Sequence, residues 1–372
     1  MTNLTPEEIK RYARHLAIPN FGIPAQEKLK AASVLVVGAG GLGSPLLMYL
    51  AAAGVGTIGI VDDDQVDLTN LQRQILYRNQ DIGQSKVKLA QQKIKEINPY
   101  IQVKIYPERF TRHNAEKIIQ DYDVVADGTD NFSTRYLVND ACVLFDKVNV
   151  YASIFRFEGQ VSVFNYLNEN NERGPNYRDL FPEPPPPDLV PDCATGGVLG
   201  VLPGIIGSMQ ASEVIKVITG IGEPLAGRLF LFDAADFSTR ILKIKKQPAI
   251  TITELIDYDI FCGVKEENLS EYQELSPVDF RKLQNDPSSF YLIDVREPGE
   301  YAIDKIPESH LIPLSSITKR LAEIPETGKV VIYCQSGLRS KRAIQKILEH
   351  QKEANLFNLT GGLAAFRKRF PN

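Results

Sequence analysis

Several reactive or charged side chains stand directly after short apolar runs, where buried strands are expected to end. Cys334 follows the run at 330–333 and opens the loop Cys-Gln-Ser-Gly-Leu-Arg-Ser, ahead of a helix predicted to begin near Lys341. Backbone N–H groups and the positive end of a helix stabilise an anionic sulfur at such a place. The loop therefore predicts a sulfur nucleophile. A phosphatase loop is the nearest alternative, but that chemistry requires a longer spacing between cysteine and arginine than Cys334 and Arg339 have.

A second place for chemistry is a glycine-rich turn that follows the apolar run at 33–37 and leads into a helix predicted from Ser44. Its glycines are Gly38, Gly40, Gly41 and Gly43. Glycines at this point let the backbone approach phosphate at the positive end of a helix. Asp62 ends the next apolar run and is placed to take ribose hydroxyls. The pattern predicts an adenosine nucleotide, and an NAD-binding dehydrogenase remains an alternative.

Charged and polar side chains farther along the chain favour adenylation over hydride transfer. Adenylation moves negative charge onto pyrophosphate, whereas a dehydrogenase has little use for additional cations near the phosphates. We expect Arg73 and Lys86 to supply those cations, Asp130 to hold a magnesium ion, and Asn70 to add a neutral donor. Taken singly, each of these side chains would be interpreted as a solvated surface group.

The spacing of apolar runs predicts the elements that position these residues. Short runs at 33–37, 57–61, 103–106 and 124–127 alternate with helical patterns such as 85–97, which is typical of an α/β domain with a largely parallel sheet. Closely spaced runs after Tyr151 predict antiparallel additions. A polar stretch at 263–274 predicts the boundary between a first domain at 1–265 and a smaller α/β domain at 275–372.

The composition is that of an ordinary soluble protein. The chain has 372 residues, 43% of them hydrophobic, and its formal net charge of -4 argues against general binding to nucleic acid or membrane surfaces. Four widely separated cysteines predict no disulfide framework and favour a reducing cytoplasm. The uncharged stretch at 193–212 is rich in glycine, so we interpret it as a buried loop and helix and not a membrane span.

The ordered motifs of the first domain resemble a known family. They are Gly-x-Gly-Gly-Leu-Gly at 38–43, Asp-x-Asp at 62–64 followed by Asn-Leu-x-Arg-Gln at 70–74, Gly-x-x-Lys at 83–86 and Thr-Asp-Asn at 129–131. This set is similar to the adenylyltransferases that activate ubiquitin-like carriers, which include MoeB, ThiF and the ubiquitin-activating enzymes. The likeness covers about residues 4–262.

The resemblance implies a Rossmann-like fold with a mixed sheet, the use of ATP and Mg²⁺, and a homodimer in which Arg14 reaches the triphosphate of the neighbouring subunit. It implies that the substrate is the C-terminal Gly-Gly carboxylate of a ubiquitin-like sulfur carrier, and that Arg156 is structural or lies near the carrier tail. The implied nucleotide contacts are Gly38, Gly40, Gly41, Gly43, Asp62, Asp64, Asn70, Arg73, Lys86, Asp130 and Asn131.

Two cysteine questions follow from this resemblance. Members of the family often bind structural zinc through two Cys-x-x-Cys pairs, but here the corresponding positions hold Asn176, Asp179, Asp259 and Cys262. Because a tetrahedral structural site prefers sulfur and imidazole, we predict no zinc.

Cys193 lies in a region where relatives carry a cysteine that takes the acyl group or forms an acyl disulfide. The alternative is a small buried residue.

The second domain resembles the rhodanese sulfurtransferases over about residues 275–372. The similarity rests on the Cys334 loop, on Asp294-Val-Arg296-Glu-Pro-Gly-Glu-Tyr, on Ile306-Pro followed by Ile312-Pro-Leu, and on Leu359-Thr-Gly-Gly. Asp304-Lys305 departs from the usual Gly-His, which we expect to alter surface packing. The resemblance implies a persulfide on Cys334.

Together the two halves predict adenylation of a sulfur carrier followed by sulfur transfer that forms a thiocarboxylate. The pathway would be that of molybdopterin, thiamine or tRNA thiolation, and an upstream sulfur donor would be needed. One alternative is a nicotinamide dehydrogenase with a docking rhodanese module. A second alternative is a non-catalytic scaffold.

Overall fold

The computed structural model describes residues 3–185, 197–247, 250–264, 272–286, 289–325, 327–350 and 355–370, apart from the side chain at 338. The chain divides into two compact units, Met1–Lys265 and Glu266–Asn372. No helix in the described part of the chain has both the length and the apolar character needed to cross a membrane.

The first unit is built on one eight-stranded mixed sheet. Its strands are β1 (Ser33–Val37), β2 (Thr57–Val61), β3 (Gln102–Tyr106), β4 (Val124–Asp127), β5 (Val148–Phe155), β6 (Glu158–Phe164), β7 (Arg228–Asp233) and β8 (Thr239–Lys243). Its helices are α1 (Pro6–Arg11), α2 (Ala13–Leu16), α3 (Gly22–Ala31), α4 (Gly43–Ala53), α5 (Lys86–Ile97), α6 (Ala115–Ile119), α7 (Phe132–Leu144), α8 (Tyr177–Leu180), α9 (Leu202–Thr219) and α10 (Tyr258–Phe261).

The strand order explains where a ligand is expected in this unit. The order is β3-β2-β1-β4-β5-β6-β7-β8, with parallel pairing from β3 to β5 and antiparallel pairing from β5 to β8. The parallel core and the antiparallel additions predicted from the sequence are thus confirmed. The chain reverses its direction of progress between β1 and β4, and a crevice forms outside the carboxyl ends of strands at such a point.

Local sequence accounts for most element boundaries. Strand β4 is buried throughout, as expected for a parallel strand covered on both faces. Thr5 and Glu8 form a capping box at the start of α1. Ile9, Tyr12 and Leu16 recur at helical spacing, but the helix is interrupted at Tyr12, because α1 ends at Arg11 and α2 begins at Ala13. Tyr12 is buried, and its hydroxyl accepts a hydrogen bond from Asn98 at 2.8 Å.

The second unit has a five-stranded parallel sheet in the order β11-β10-β12-β13-β9. Its strands are β9 (Gln273–Leu275), β10 (Phe290–Asp294), β11 (His310–Leu311), β12 (Lys329–Tyr333) and β13 (Asn355–Leu359). Its helices are α11 (Pro277–Leu283), α12 (Pro298–Ile303), α13 (Leu338–Leu348) and α14 (Gly362–Arg369). Helix α13 begins three residues before the predicted Lys341, so the loop after Cys334 is shorter than expected.

Candidate functional site

A cavity of about 340 Å³ opens outside the carboxyl ends of β1, β2 and β4. It contains most of the nucleotide-binding residues predicted from the sequence, although these come from segments far apart in the chain. The predicted residues that line it are Gly38, Gly40, Gly41, Asp62, Asp64, Arg73, Lys86, Asp130 and Asn131. The cavity therefore brings the glycine turn, two cations and several carboxylates together at the crevice that the strand order creates.

The glycine turn is held open by backbone geometry that a side chain would disturb. Gly38 has a φ of 95°, in the left-handed region that favours glycine. A Cβ on Gly43 would lie 2.1 Å from the carbonyl oxygen of Gly38, so Gly43 permits the close approach of turn and helix without lining the cavity. The Asp62 carboxylate accepts hydrogen bonds from the backbone N–H groups of Ala39 and Asp64, at 2.8 and 2.9 Å. Burial raises the pKa of Asp62, against the opposing effect of Lys86.

The two predicted cations both line the cavity and have different partners. Lys86 begins α5 and is only 4% exposed, and its Nζ lies 2.8 Å from Oδ2 of Asp64. Arg73 donates to the carbonyl oxygen of Thr69 at 3.1 Å. A buried ammonium whose only described carboxylate partner, Asp64, is itself exposed can exchange that partner for phosphate oxygens.

The loop after β4 also lines the cavity, through residues 128–131. Asn131 caps α7, since its Oδ1 accepts from the backbone N–H of Thr134 at 2.9 Å, and Asp130 beside it is exposed to solvent. Asp127 is fully buried, and burial raises its pKa while Arg135 opposes that rise. One Asp127 oxygen accepts from the backbone N–H and the hydroxyl of Thr129. Hydrogen bonds to the buried Asp127 and to Asn131 therefore hold the loop in place, and the Asp130 carboxylate lines the cavity.

Besides Gly43, two predicted contacts lie outside the lining of this cavity. Arg14 is exposed on α2. The Oδ1 of Asn70 accepts from the backbone N–H of Asp67 at 3.1 Å and so closes a turn. Conversely, sequence reasoning did not select Gln74, Arg109, Phe110, Thr134 and Arg135, all of which line the cavity. Gln74 could have been found from the Asn-Leu-x-Arg-Gln motif, whereas Arg109 follows β3 in no recognisable pattern.

The four positions that would correspond to zinc ligands take part in other interactions. Asp179 accepts from the backbone and side-chain nitrogens of Asn176, at 2.8 and 2.9 Å, and Asp259 accepts from Arg109 at 3.1 Å. Cys262 is buried in an apolar cluster. Within the described residues, the only clustered acidic, histidine or cysteine side chains with metal-binding spacing are Asp62, Asp63 and Asp64. The absence of zinc stays a prediction.

A charged network joins α7, α8 and α10 in the same region. Asp140 accepts three hydrogen bonds from Arg178, at 2.7 to 3.1 Å, and one from the hydroxyl of Tyr258 at 2.8 Å. The Arg178 guanidinium also lies over the ring of Phe261, 4.5 Å from its centroid. Asp140 is 1% exposed, so this pair lies in the interior and ties the three helices together.

Replacing Asp140 by alanine is expected to lower the free energy of unfolding by about 3 kcal/mol, because it leaves the Arg178 charge buried without its partner. Urea unfolding of the full chain, followed by circular dichroism, measures this change. Asp121→Ala is the matched control, since Asp121 pairs with Lys104 on the surface and its loss should leave the free energy of unfolding nearly unchanged. Equal losses in the two variants would contradict the assignment, and a strong chelator should leave the wild-type transition unchanged.

Arg156 has a conformation unusual for a side-chain-bearing residue. Its φ is 53°, its N–H donates to the carbonyl oxygen of Gly197 at 3.1 Å, and its own carbonyl oxygen accepts from Leu199 at 2.9 Å. These hydrogen bonds connect the turn between β5 and β6 to the segment that leads into α9.

Cys193, the cysteine that the sequence analysis considered for acyl transfer, lies outside the described residues.

In the second unit, Cys334 follows the central strand β12 and is completely buried. The backbone N–H of Gly337 donates to its Sγ at 3.1 Å, and the hydroxyl of Ser340 lies 3.7 Å from the same sulfur. A Cβ on Gly362 would lie 2.4 Å from the carbonyl oxygen of Cys334, which explains the glycine pair after Leu359. The loop thus places a backbone N–H donor and a hydroxyl beside the sulfur.

Charged pairs brace this loop from outside. Arg296 binds Asp294 through three hydrogen bonds of 2.7 to 3.1 Å and also donates to Gln335 at 3.2 Å. Arg339 forms two parallel hydrogen bonds with Glu300, at 2.7 and 2.8 Å. Asp304, at the unusual position noted in the sequence, accepts two from Arg367 at 3.0 and 2.7 Å. The aspartate at position 304, where related sequences usually have glycine, therefore forms an ion pair with α14.

Comparison with known proteins places this geometry in a family. A family model described as ThiF family matches residues 12–251, and one described as Rhodanese-like domain matches residues 276–369. The chain belongs to the ThiF family. This ThiF-family chain therefore carries a C-terminal rhodanese-like domain, as its sequence motifs indicated, and family membership removes the dehydrogenase alternative.

Three relatives resemble the ThiF-family chain over most of their length. A probable adenylyltransferase/sulfurtransferase MoeZ of Mycobacterium tuberculosis is 47% identical, with 98% of this chain and 94% of that protein covered. An adenylyltransferase and sulfurtransferase MOCS3 of Drosophila sechellia is 42% identical, with 98% and 84% covered. A sulfur carrier protein adenylyltransferase of Thermus thermophilus is 50% identical, with 70% and 99% covered. The chain is an enzyme of the adenylyltransferase and sulfurtransferase class.

Solved structures agree on the fold of the first unit. The crystal structure of E. coli MccB with ATP matches with a TM-score of 0.55 and 21% identity, covering 65% of this chain and 74% of that one. The structure of PaaA matches with a TM-score of 0.55 and 24% identity, covering 66% and 76%. At this level of identity the likeness establishes the Rossmann-like fold alone.

Proposed function

We propose that the first unit adenylates the C-terminal Gly-Gly carboxylate of a ubiquitin-like sulfur-carrier protein. The supporting observation is the single cavity in which a glycine turn, Arg73, Lys86 and Asp130 meet. A carboxylate oxygen of the carrier attacks the α-phosphate of ATP, and the bond to the bridging oxygen breaks as pyrophosphate leaves. The ionised carboxylate needs no protein base, so positioning and neutralisation of charge account for the catalysis.

Each cavity residue has a place in this reaction. The turn at Gly38–Gly43 approaches the phosphates, and Asp62 holds the ribose and the turn together. Lys86 and Arg73 neutralise the charge that moves to pyrophosphate, and Asp130 supplies an oxygen ligand of the type that Mg²⁺ accepts. Asp64 and Asn131 contact the nucleotide from the cavity lining. Asn70, outside that lining, orients the turn that precedes Arg73. The deciding experiment is ATP–pyrophosphate exchange measured against a panel of purified carrier proteins.

The second unit is proposed to supply sulfur as a persulfide on Cys334. The Gly337 N–H group at 3.1 Å from Sγ and the start of α13 at the next residue both favour a negatively charged sulfur. The outer persulfide sulfur attacks the carbonyl carbon of the acyl adenylate, and AMP leaves with the electron pair. A second thiol then cleaves the acyl disulfide, which releases the thiocarboxylate and leaves a protein disulfide for an external reductant to reopen.

Cys193 is the proposed second thiol. Cys193→Ala is expected to leave ATP–pyrophosphate exchange and thiosulfate-dependent thiocyanate release unchanged, because neither step uses this thiol. The yield of carrier thiocarboxylate, measured by the mass change that replaces oxygen by sulfur, should fall about ten-fold or more. Cys142→Ala serves as the control, since Cys142 is a buried core residue. An unchanged thiocarboxylate yield in Cys193→Ala would assign the cleavage to another thiol.

We propose that the chain acts in the cytoplasm as a homodimer, and the exposed Arg14 supports the dimer. Its side chain does not line the cavity of its own chain, and in the dimer it would contact the triphosphate held by the neighbouring subunit. Mixed dimers of Arg14→Ala and Lys86→Ala chains test this arrangement, because only one of their two sites would retain both residues. Partial recovery of exchange in the mixture is the expected result.

A further inference from the structure

A line of hydrogen-bonded side chains runs from the sulfur of Cys334 to the edge strand β9. The Oγ of Ser340 lies 3.7 Å from Sγ and 2.6 Å from Oδ1 of Asn358. The amide nitrogen of Asn358 lies 3.2 and 3.0 Å from the two carboxylate oxygens of Glu274. Ser340 and Asn358 are completely buried, whereas the Glu274 side chain is 42% exposed, so this line runs from the interior of the domain to its surface.

Glu274 determines which way the amide of Asn358 points. Burial tends to raise the pKa of Glu274, but hydrogen bonds from Lys341 and Thr360 outweigh burial and leave that pKa lowered. An ionised carboxylate only accepts hydrogen bonds, so Asn358 must turn its amide nitrogen toward Glu274. The carbonyl oxygen of Asn358 is thereby left facing the hydroxyl of Ser340.

The Ser340 hydroxyl has one proton and three acceptors within reach. These are Oδ1 of Asn358 at 2.6 Å, the carbonyl oxygen of Gly337 at 3.0 Å and Sγ of Cys334 at 3.7 Å. The shortest contact is to Asn358. While the proton points there, the hydroxyl oxygen presents a lone pair to the sulfur, which suits a protonated thiol and opposes a thiolate.

We propose that Ser340, Asn358 and Glu274 are positioning residues that control the reactivity of Cys334 through the direction of one hydroxyl proton. When the thiol loses its proton, the Ser340 hydroxyl turns from Asn358 to the sulfur and stabilises the thiolate. Asn358 thus acts as a competing acceptor and Glu274 holds it in that role. The inference rests on the proposed function of Cys334 as the sulfur nucleophile.

During sulfur uptake, the direction of the Ser340 hydroxyl changes as the negative charge moves from Sγ of Cys334 to the outer sulfur. With thiosulfate as donor, the Cys334 thiolate attacks the outer sulfur and a new bond forms between that sulfur and Sγ. The sulfur–sulfur bond of thiosulfate breaks, and sulfite leaves with the electron pair. The negative charge then resides on the outer sulfur of the persulfide, so the Ser340 proton is free to return to Asn358.

The charged groups on neighbouring elements are paired and stay in place when the neutral residues are changed. They form three pairs around the loop, which are Asp294 with Arg296, Glu300 with Arg339, and Glu274 with Lys341. Variants at Ser340 and Asn358 leave the charge of all six unaltered. A change in the behaviour of Cys334 in these variants is therefore attributable to the hydroxyl proton.

The test is the rate of iodoacetamide alkylation of Cys334 in the full-length chain as a function of pH, resolved by peptide mass spectrometry. Ser340→Ala removes a donor to the thiolate and should move the midpoint of this profile upward by about one pH unit. Asn358→Leu releases the hydroxyl to the sulfur and should move the midpoint downward. General loosening of the domain would not shift the two variants in opposite directions.

Asn355→Leu is the control on the same strand, because Asn355 is exposed at the start of β13, and its profile should match the wild type. An unchanged midpoint in Ser340→Ala, or shifts of the same sign in Ser340→Ala and Asn358→Leu, would overturn the proposal. Thiosulfate-dependent thiocyanate release distinguishes a failure of the proposed function from a failure of this inference. If the wild type lacks that activity, the proposed function is wrong. If the wild type is active but the midpoints of the variants are unchanged, only the role of the positioning residues is wrong.

Discussion

Replacing Lys86 by alanine is expected to reduce ATP–pyrophosphate exchange by about a hundred- to a thousand-fold. The ammonium lines the cavity and is almost completely buried, so solvent screens its attraction to the charge on pyrophosphate only weakly. Its partner Asp64 is largely exposed, so the loss of that ion pair should cost little stability. The expected defect is therefore in the reaction and not in folding.

Lys88→Ala provides the matched control for this prediction. Lys88 lies two residues farther along α5, carries the same charge and is exposed to solvent. Its variant should retain the exchange rate of the wild type, and circular dichroism should show the same melting for both variants. Full exchange activity in Lys86→Ala would contradict the assignment of the cavity, and Arg73→Ala gives an independent test of the same charge neutralisation.

Replacing Cys334 by serine is expected to reduce thiocyanate release from thiosulfate and cyanide by at least about a thousand-fold. A serine hydroxyl keeps the shape of the loop but cannot hold a sulfane sulfur at neutral pH. ATP–pyrophosphate exchange should be unchanged, because the adenylation step uses no thiol. The two measurements together separate the activities of the two units within one polypeptide.

Cys262→Ala is the control for the sulfur assay, since Cys262 is buried in an apolar cluster of the first unit. This variant should release thiocyanate at the wild-type rate. Wild-type release in Cys334→Ser would instead favour the scaffold interpretation, in which the rhodanese-like unit only docks partners. Loss of thiocarboxylate in Cys334→Ser with normal exchange would connect the persulfide to the carrier.

Much of the nucleotide site could be predicted because its residues are set by local patterns. The glycine turn, Asp62 and Asp130 each follow the end of a strand, and parallel strands bring their carboxyl ends to one edge of the sheet. Cys334 follows β12 in the same way. A motif that ends a strand therefore locates chemistry even when the neighbours of that strand are unknown.

The break between α1 and α2 could not be predicted from the local sequence. The apolar spacing across Tyr12 is helical, and nothing in the local sequence ends the helix there. At the break, the buried Tyr12 hydroxyl accepts a hydrogen bond from Asn98, which is 86 residues away in the chain, and the local sequence does not show such a contact. Similarly, Arg109 and Arg135 reach the nucleotide cavity because of how the loop after β3 and the helix α7 pack, and periodicity carries no information on such packing.

The sequence by itself thus determined the two families and predicted where their chemistry lies, namely a nucleotide site at a glycine turn and a sulfur nucleophile at Cys334. Tertiary structure alone added the side chains that no motif marks, such as Arg109 and Arg135 beside the cavity and Asn358 and Glu274 near Cys334. Glu274 and Asn358 meet only because β9 lies beside β13 at the edge of the second sheet, 84 residues apart in the chain. Strand order depends on the packing of the whole sheet, whereas a motif depends on the conformation of a few consecutive residues.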